Sequence, residues 1–297
     1  MKLLVTGAWR YTPAQLEAVL AMGHTVVEMP DERGELPCPP HEVEGVIGNG
    51  LFLYHPIEAF TSLRYVQLTS AGYDRMPMDY AEAHGIRVCN ARGVYSLPMA
   101  ELALWGVLSI YKEGLSFARK QAEHRWEKHR GLRELAGKRV TVVGCGSIGT
   151  ECARRFAAMG CSVTGVDLFP REGEPYEAVH PVDELVKLLP LTDVLVLTLP
   201  LTEATRHLVG REALFALPDG AVVVNISRGG VVDTDALVEA LQTRELYAVL
   251  DVFEVEPLPP EHPLWGLQNV ILTPHNSFVG EGNQERLAAV ILANLRG

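Results

Sequence analysis

Residues 139–167 read RVTVVGCGSIGTECARRFAAMGCSVTGVD and contain the most specific structural motif of the chain. A β-branched run leads into glycines spaced as G-x-G-x-x-G at Gly144, Gly146 and Gly149. A helical pattern follows, and a second β-branched run ends at Asp167, 18 residues after Gly149. This order of strand, glycine turn, helix, strand and acid predicts a βαβ unit that binds a dinucleotide.

Each glycine of the turn has its own physical task. Gly144 permits a tight turn, Gly146 lets the backbone approach a pyrophosphate, and Gly149 lets helix and strand pack closely. The start of the helix offers N–H groups near Ser147 and Ile148 to the phosphate charge. The motif therefore predicts a cofactor site at the beginning of this helix.

Asp167 bears on which cofactor binds. Its carboxylate would accept hydrogen bonds from the ribose hydroxyls and would repel a 2′-phosphate, which predicts NAD rather than NADP. Arg171 lies four residues on and would soften that repulsion. The alternative is that Asp167 is a solvated strand end without a ligand.

The βαβ unit begins almost halfway along the 297-residue chain, so a different domain precedes it. Short β-rich runs alternate with helical patterns throughout, which predicts an α/β protein with parallel sheets. Five strands are predicted before the glycine turn: Lys2–Thr6, Thr25–Glu28, Gly45–Ile47, Tyr65–Leu68 and Arg87–Cys89. The stretch Asp31–Glu42 is predicted to be a loop because of its proline, glycine and charge content.

A longer helical pattern separates this first series from the second. Apolar residues recur on one face from Leu97 to about Arg119, which predicts one long helix. The second series of strands is predicted at Arg139–Val143, Ser162–Asp167, Asp193–Leu197, Ala221–Asn225, Tyr247–Asp251 and Val270–Leu272. The final residues, GNQERLAAVILANLRG, are predicted to form one closing helix.

Composition limits the class of function. The net charge is −11, from 26 Lys and Arg against 37 Asp and Glu, which argues against a nucleic-acid or anionic-membrane binder. The five cysteines show no C-x-x-C spacing and fit neither a disulfide framework nor a metal site, so we expect free thiols and a cytoplasmic protein. No window resembles a signal peptide or a membrane span.

Charged side chains follow the late predicted strands. Arg228 follows the strand AVVVN, three acids follow YAVL, and His275 follows VIL. Ligands of open α/β sheets bind beyond the carboxyl ends of the strands, so these groups are candidates for one catalytic site. Taken singly, the arginine could be a solvated turn residue, the acids loop charges, and the histidine a surface residue.

From about Val43 to Ser277 the chain resembles the D-isomer-specific 2-hydroxyacid dehydrogenases. The resemblance rests on ordered blocks: QLTSAGYD, GIRVCNARG, PMAE, ELAGKRVTVVGCGSIG, LPLTEATRHL, NISRGGVVD, LDVFEVEPLP and TPHNS. It implies two Rossmann-like or flavodoxin-like domains. The NAD-binding domain, residues 98–276, would be inserted into a substrate domain made of residues 1–97 and 277–297.

The resemblance also implies roles. Arg228 would bind the carboxylate and carbonyl of a small 2-keto or 2-hydroxy acid, and His275 would be the acid/base. Glu256 would orient His275 and favour its protonated form, and Asp251 would meet the nicotinamide carboxamide. Further residues are implied by their place in matching blocks. For the cofactor they are Leu199, Pro200, Thr205, Ile226 and Ser227, with Arg228 and His275. For the substrate they are Asn49, Gly50, Ala71 and Gly72, the last three as backbone donors to the carboxylate, again with Arg228 and His275.

Two alternatives follow from the same resemblance. Asn49 stands near where phosphoglycerate dehydrogenases commonly have an arginine, so a phosphorylated substrate is disfavoured. A non-catalytic NAD-sensing scaffold, similar to corepressors of this fold, has the same motifs and stays open. The resemblance further implies a homodimer that pairs through the long helix and the arm around Trp126.

Overall fold

The computed structural model describes residues 1–171 and 173–296. Its twelve described strands are β1 (Lys2–Thr6), β2 (Thr25–Met29), β3 (Gly45–Gly48), β4 (Tyr65–Leu68), β5 (Arg87–Cys89), β6 (Arg139–Val143), β7 (Ser162–Asp167), β8 (Ala178–Pro181), β9 (Val194–Leu197), β10 (Val222–Asn225), β11 (Tyr247–Leu250) and β12 (Val270–Leu272). The nine described α-helices are α1 (Pro13–Ala21), α2 (Met78–Ala83), α3 (Ser96–Tyr111), α4 (Gly114–Ala122), α5 (Ser147–Ala158), α6 (Leu185–Leu188), α7 (Arg211–Ala216), α8 (Thr234–Thr243) and α9 (Asn283–Arg296).

The chain divides into two compact units. Unit 1 is Met1–Tyr95 together with the segment from Gly280 onward, and unit 2 is Ser96–Val279. The expected division at residues 98 and 276 differs by two residues at the start of unit 2 and by three at its end. Unit 2 is thus inserted into unit 1 along the chain, as the fold class predicted.

Unit 1 is a five-stranded parallel sheet in the order β2-β1-β3-β4-β5. Alternate residues of β1 point to opposite faces, so Leu3 and Val5 pack with Leu287 and Ile291 of α9, whereas Leu4 packs on the other side. Each such buried side chain contributes about 1.5–3 kcal/mol to folding. The closing helix therefore belongs to the first unit although it lies at the end of the chain.

Unit 2 is a seven-stranded parallel sheet in the order β12-β11-β10-β9-β6-β7-β8. The central strands β9 and β10 are fully buried, as expected for a sheet covered on both faces. All of their residues are valine or leucine except Asn225. The direction of strand order reverses between β6 and β9. The turn after β6, which carries the glycine motif, therefore lies at the switch point where doubly wound sheets bind ligands.

The prediction of one long helix from Leu97 to Arg119 is wrong. The structure has α3 and α4 instead, separated by Lys112 and by Glu113, whose φ of 54° is left-handed. The apolar sequence pattern continues through this turn, but Leu115 is exposed and α4 has no buried residue, so the pattern did not mark the break. Strand β8 and the short helices α6 and α7 are further elements that the sequence analysis did not identify.

Candidate active site

At two of the three glycines in the glycine turn of unit 2, a side chain would clash with the backbone. Gly144 has a φ of 98°, and a Cβ there would lie 2.9 Å from the carbonyl carbon of Thr198. A Cβ on Gly149 would lie 1.9 Å from the carbonyl oxygen of Gly144. A Cβ on Gly146 would meet nothing within 4 Å, so the turn leaves open space above this residue. That space fits a ligand that approaches the backbone closely.

Helix α5 begins beside this open space. Gly146 is its N-cap and supplies no side-chain hydrogen bond, and Thr150 is the first residue whose N–H bonds back, to the carbonyl of Gly146. The N–H groups of Ser147, Ile148 and Gly149 therefore precede the helical ladder. Together with the helix dipole they can hold an anionic group such as a pyrophosphate.

Asp167 lies at the end of β7 and fastens the turn. Its Oδ2 accepts a hydrogen bond from the N–H of Cys145 at 2.6 Å, and its Oδ1 accepts one from Phe169 at 2.9 Å. The carboxylate thus sits directly beside the glycine turn with a fixed orientation. Its lone pairs beyond these two bonds are the groups that a ribose would meet.

His275 and Glu256 form a close pair in unit 2. His275 Nδ1 lies 2.7 Å from Glu256 Oε2, and Glu256 Oε1 accepts a hydrogen bond from the N–H of Phe253 at 2.9 Å. About two fifths of the imidazole is exposed. The pair fixes the ring, and leaves Nε2 as the nitrogen that a substrate would meet.

Asp251 builds the loop that carries this histidine. The carboxylate is fully buried and accepts hydrogen bonds from Thr273 Oγ1 at 2.6 Å, from the N–H of Asn276 at 2.8 Å and from the N–H of Ser277 at 2.9 Å. Its carbonyl oxygen also accepts from the N–H of His275 at 2.8 Å. These bonds hold the left-handed φ of 51° at His275. A contact of Asp251 with a nicotinamide stays a prediction.

Arg228 is positioned by the turn that follows β10. Asn225 holds this turn, because its Nδ2 donates to the carbonyl of Arg228 at 3.0 Å and its Oδ1 accepts from Ser227 Oγ at 2.8 Å. Gly229 packs against the chain after β11, since a Cβ on it would lie 1.9 Å from the carbonyl carbon of Phe253. The arginine turn is therefore locked to the segment that carries Glu256.

The remaining residues implied for the cofactor are mostly buried in the protein. Leu199, Thr205, Ile226 and Ser227 are each 6% exposed or less, whereas Pro200 is exposed. Thr205 Oγ1 donates to the carbonyl of Pro200 at 2.7 Å and accepts from the N–H of Thr202 at 2.7 Å. The Thr205 side chain therefore shapes its loop, and any cofactor contact of these residues stays a prediction.

Sequence reasoning missed a second histidine–glutamate pair in unit 2. His207 Nε2 lies 3.0 Å from Glu254 Oε2, and Glu254 Oε1 accepts from the N–H and the hydroxyl of Thr234 at the start of α8. It also missed Thr198, whose hydroxyl donates to the carbonyl of Gly144 at 2.6 Å. Both are contacts between distant residues of the chain, for which the local pattern gives no signal.

Two turns at the carboxyl end of the unit 1 sheet contain the predicted substrate residues, and they differ. After β3, the N–H groups of Asn49 and Gly50 donate to Glu32 at 2.7 and 2.8 Å. After β4, the N–H groups of Ala71 and Gly72 donate to no acceptor within residues 1–171 and 173–296. Gly50 was expected to donate its N–H to a substrate carboxylate. In this structure the same N–H already donates to Glu32, so a substrate would have to displace Glu32 to use it.

Comparison with known proteins identifies the family of this chain. Residues 104–277, which lie within unit 2, match the family described as D-isomer specific 2-hydroxyacid dehydrogenase, NAD binding domain. The chain belongs to this family.

Relatives of this chain include a hydroxypyruvate reductase of Thermotoga maritima, which is 37% identical over 74% of this chain and 72% of that protein. A D-3-phosphoglycerate dehydrogenase of Methanocaldococcus jannaschii is 34% identical over 81% of this chain. The match spans 46% of that longer relative.

A solved neighbour is the NADPH-dependent glyoxylate/hydroxypyruvate reductase of Sinorhizobium meliloti in complex with citrate. It has 28% identity and a TM-score of 0.81, and the match covers 100% of this chain and 93% of that chain. The family and its relatives support an oxidoreductase with a nicotinamide cofactor. In the described part of the chain, none of the helices is both long and apolar enough to cross a membrane.

Proposed function

We propose that the chain is a D-2-hydroxyacid dehydrogenase that works with NAD(H) as the reductase of a small 2-keto acid, or in reverse. The observation that carries this proposal is the 2.7 Å contact between His275 Nδ1 and Glu256 Oε2. A histidine oriented by a carboxylate, with its second nitrogen directed elsewhere, is the arrangement that a general acid/base needs.

The residues of unit 2 divide the work. Arg228 binds the carboxylate of the keto acid, because a guanidinium pairs with a carboxylate through two parallel hydrogen bonds. His275 holds a proton at Nε2 and gives it to the carbonyl oxygen, and Glu256 keeps the ring in that orientation. The nicotinamide, when bound, supplies the hydride to the carbonyl carbon. In unit 1, considered by itself, the N–H groups of Ala71 and Gly72 are donors that suit a carboxylate.

The choice of NAD over NADP rests on Asp167. Its carboxylate is held beside the glycine turn by two backbone N–H groups, so a cofactor that carries a 2′-phosphate brings like charges together there. A solved neighbour is NADPH-dependent, which makes this choice a property to be measured. We expect a higher kcat/KM with NADH than with NADPH.

The test is a panel of glyoxylate, hydroxypyruvate, pyruvate and bulkier keto acids, each assayed with both reduced cofactors. Turnover of a small keto acid with preference for NADH supports the proposal. A preference for NADPH would remove the role given to Asp167 and leave the reductase intact. Absence of turnover with every keto acid would contradict the enzyme and leave an NAD-sensing scaffold as the alternative.

A homodimer and a cytoplasmic location remain part of the proposal. The arm that follows α4 supports a pairing surface because Trp126 is 94% exposed, an unusual position for a large aromatic side chain. Light scattering of the purified protein measures its mass and so decides whether it is a dimer.

A further inference from the structure

The carboxylate of Glu32 in unit 1 occupies backbone donors that could otherwise bind an anionic ligand. Its Oε1 accepts hydrogen bonds from Thr6 Oγ1 at 2.8 Å and from the N–H of Asn49 at 2.7 Å, and its Oε2 accepts from the N–H of Gly50 at 2.8 Å. The fit depends on glycine, since a Cβ on Gly48 would lie 2.8 Å from Glu32 Oε1. A carboxylate with three short bonds from fixed donors is a charge with a defined position.

The turn that Glu32 fills is next to the open one. Strands β3 and β4 are paired in register, and the ladder continues to the bond from the N–H of Thr69 to the carbonyl of Gly48 at 2.9 Å. Neighbouring strands lie about 5 Å apart. Glu32 therefore places a negative charge one strand away from the open N–H groups of Ala71 and Gly72.

These two turns impose different demands on a bound acid. A carboxylate suits Ala71 and Gly72, which offer unused donors. Any second group that reaches the turn after β3 meets the Glu32 carboxylate and Asn49, whose buried Oδ1 has no hydrogen-bond partner among the described residues. The Glu32 carboxylate and the Oδ1 of Asn49 are acceptors, so at these atoms the turn suits a hydroxyl group and disfavours an anion.

We propose that Glu32 is a specificity-determining residue that excludes keto acids with a second anionic group and favours those whose tail is neutral or carries a hydroxyl. This inference rests on the proposed function, and narrows its substrate class. It differs from the expectation based on Asn49. There, a phosphorylated substrate was disfavoured because an arginine is absent, whereas here the negative charge of Glu32 repels a second anionic group.

The test compares the parent with Glu32→Gln, which keeps the size of the side chain and removes its charge. The amide oxygen can still accept from Thr6 and Asn49, whereas the bond from Gly50 is lost. Glu35→Gln is the matched control, because it removes an exposed charge from the same loop. The measured quantity is the ratio of kcat/KM for 3-phosphohydroxypyruvate and for oxaloacetate to kcat/KM for hydroxypyruvate.

In Glu32→Gln we expect both ratios to rise about tenfold, the size expected for two charges roughly 7 Å apart in a partly solvated site. Glu35→Gln should stay within about twofold of the parent, since an exposed charge is screened. Unchanged ratios in an active Glu32→Gln variant would overturn the inference. An equal loss with all three acids would do the same, because it indicates a purely structural residue.

Two further measurements test the role of Glu32 if the Glu32→Gln variant is unstable or if the parent is inactive. Added KCl screens Glu32 in the parent, so the ratios should rise with salt; a fall would overturn the inference. Calorimetric binding of oxamate, a monoanion, and tartronate, a dianion, repeats the comparison without turnover. If the parent reduces no keto acid, the proposed function fails, and the binding ratio in Glu32→Gln still decides on Glu32.

Discussion

The carboxyl-end edges of the two sheets offer a ligand different things. In unit 2 the edge presents charged side chains that are already paired: His275 contacts Glu256, and the Asp251 carboxylate accepts hydrogen bonds from the loop that carries His275. In unit 1 the edge presents backbone N–H groups, of which one pair is occupied by Glu32 and the other is open.

The two edges differ in what holds their polar groups in place, which is side-chain hydrogen bonding in unit 2 and backbone geometry in unit 1. The side chains of unit 2 are oriented by bonds within the unit before any ligand binds, so a single replacement should remove a step or disturb the fold. The backbone donors of unit 1 cannot be removed by replacing a side chain. Whether a ligand can bind to them depends on whether a carboxylate of the protein already accepts their hydrogen bonds. Variants of unit 2 test the first half of this contrast.

The largest effect is expected from His275→Ala. Loss of the proton donor should lower kcat by roughly 10²–10⁴, whereas NADH affinity should change little because the glycine turn is untouched. The matched control is His180→Ala, since His180 forms a similar pair with Glu184 at 2.8 Å in the same unit. Stopped-flow hydride transfer and NADH titration separate the two effects. Near-normal turnover in His275→Ala would break the contrast between the two edges.

A smaller effect is expected from alanine in the glycine turn, and here two positions form a pair. Gly149→Ala places a methyl group 1.9 Å from the Gly144 carbonyl, so the free energy of unfolding should fall by about 1–3 kcal/mol. Gly146→Ala meets no atom within 4 Å and should leave the free energy of unfolding within about 0.5 kcal/mol of the parent.

The two glycine variants also test the cofactor site. The methyl group of Gly146→Ala would enter the space above the start of α5, so NADH affinity should fall about tenfold at unchanged stability. Urea unfolding and NADH titration supply the two numbers. Full NADH affinity in a stable Gly146→Ala would argue against a pyrophosphate in that space.

The smallest effect is expected at the second histidine–glutamate pair. Partial burial raises the pKa of Glu254, but hydrogen bonds from Thr234 and His207 outweigh it, so its pKa lies below the usual 4.5. A carboxylate with a lowered pKa stabilises the fold at pH values above its unfolded pKa, and this stability is lost as pH falls through the folded value. Glu254→Gln should therefore cost up to about 1 kcal/mol at pH 7 and progressively less below pH 4.5.

Urea unfolding of the parent and Glu254→Gln between pH 3 and pH 7 measures this difference. Glu261→Gln, which changes an exposed acid of the same unit, should show no comparable pH dependence. A stability difference that grows as pH falls would contradict the sign given for Glu254.

Much of the fold could be read from the sequence because its signals are local. Strands β1, β4, β5, β6, β7 and β12 have the predicted bounds, and the other predicted strands differ by one residue at one end. β-branched runs and glycine breaks mark such strands wherever they occur. The short strand β8 was missed because its two middle residues are only partly buried and its segment carries little apolar pattern.

The candidate site was predicted less completely. His275, Glu256 and Arg228 were named from motifs, and the structure supplies the distance between the first two. The burial of Asp251 and the bonds of Glu32 were not foreseen, because the sequence showed an acid after a strand and an acid in a loop. Which donors satisfy each carboxylate depends on loops that meet only in the folded unit.

The insertion of one unit into the other was implied by the resemblance to a family. Two sets of parallel strands and a glycine turn that binds a dinucleotide were predicted from the residues alone. These features follow from side-chain periodicity and from the conformational freedom of glycine, which act over a few residues. The folded chain was needed to show that Glu32 accepts a hydrogen bond from the N–H of Asn49, 17 residues away, and that His207 contacts Glu254, 47 residues away. Such partners are chosen because a partly buried polar group must find whichever donor or acceptor the packed chain brings near it.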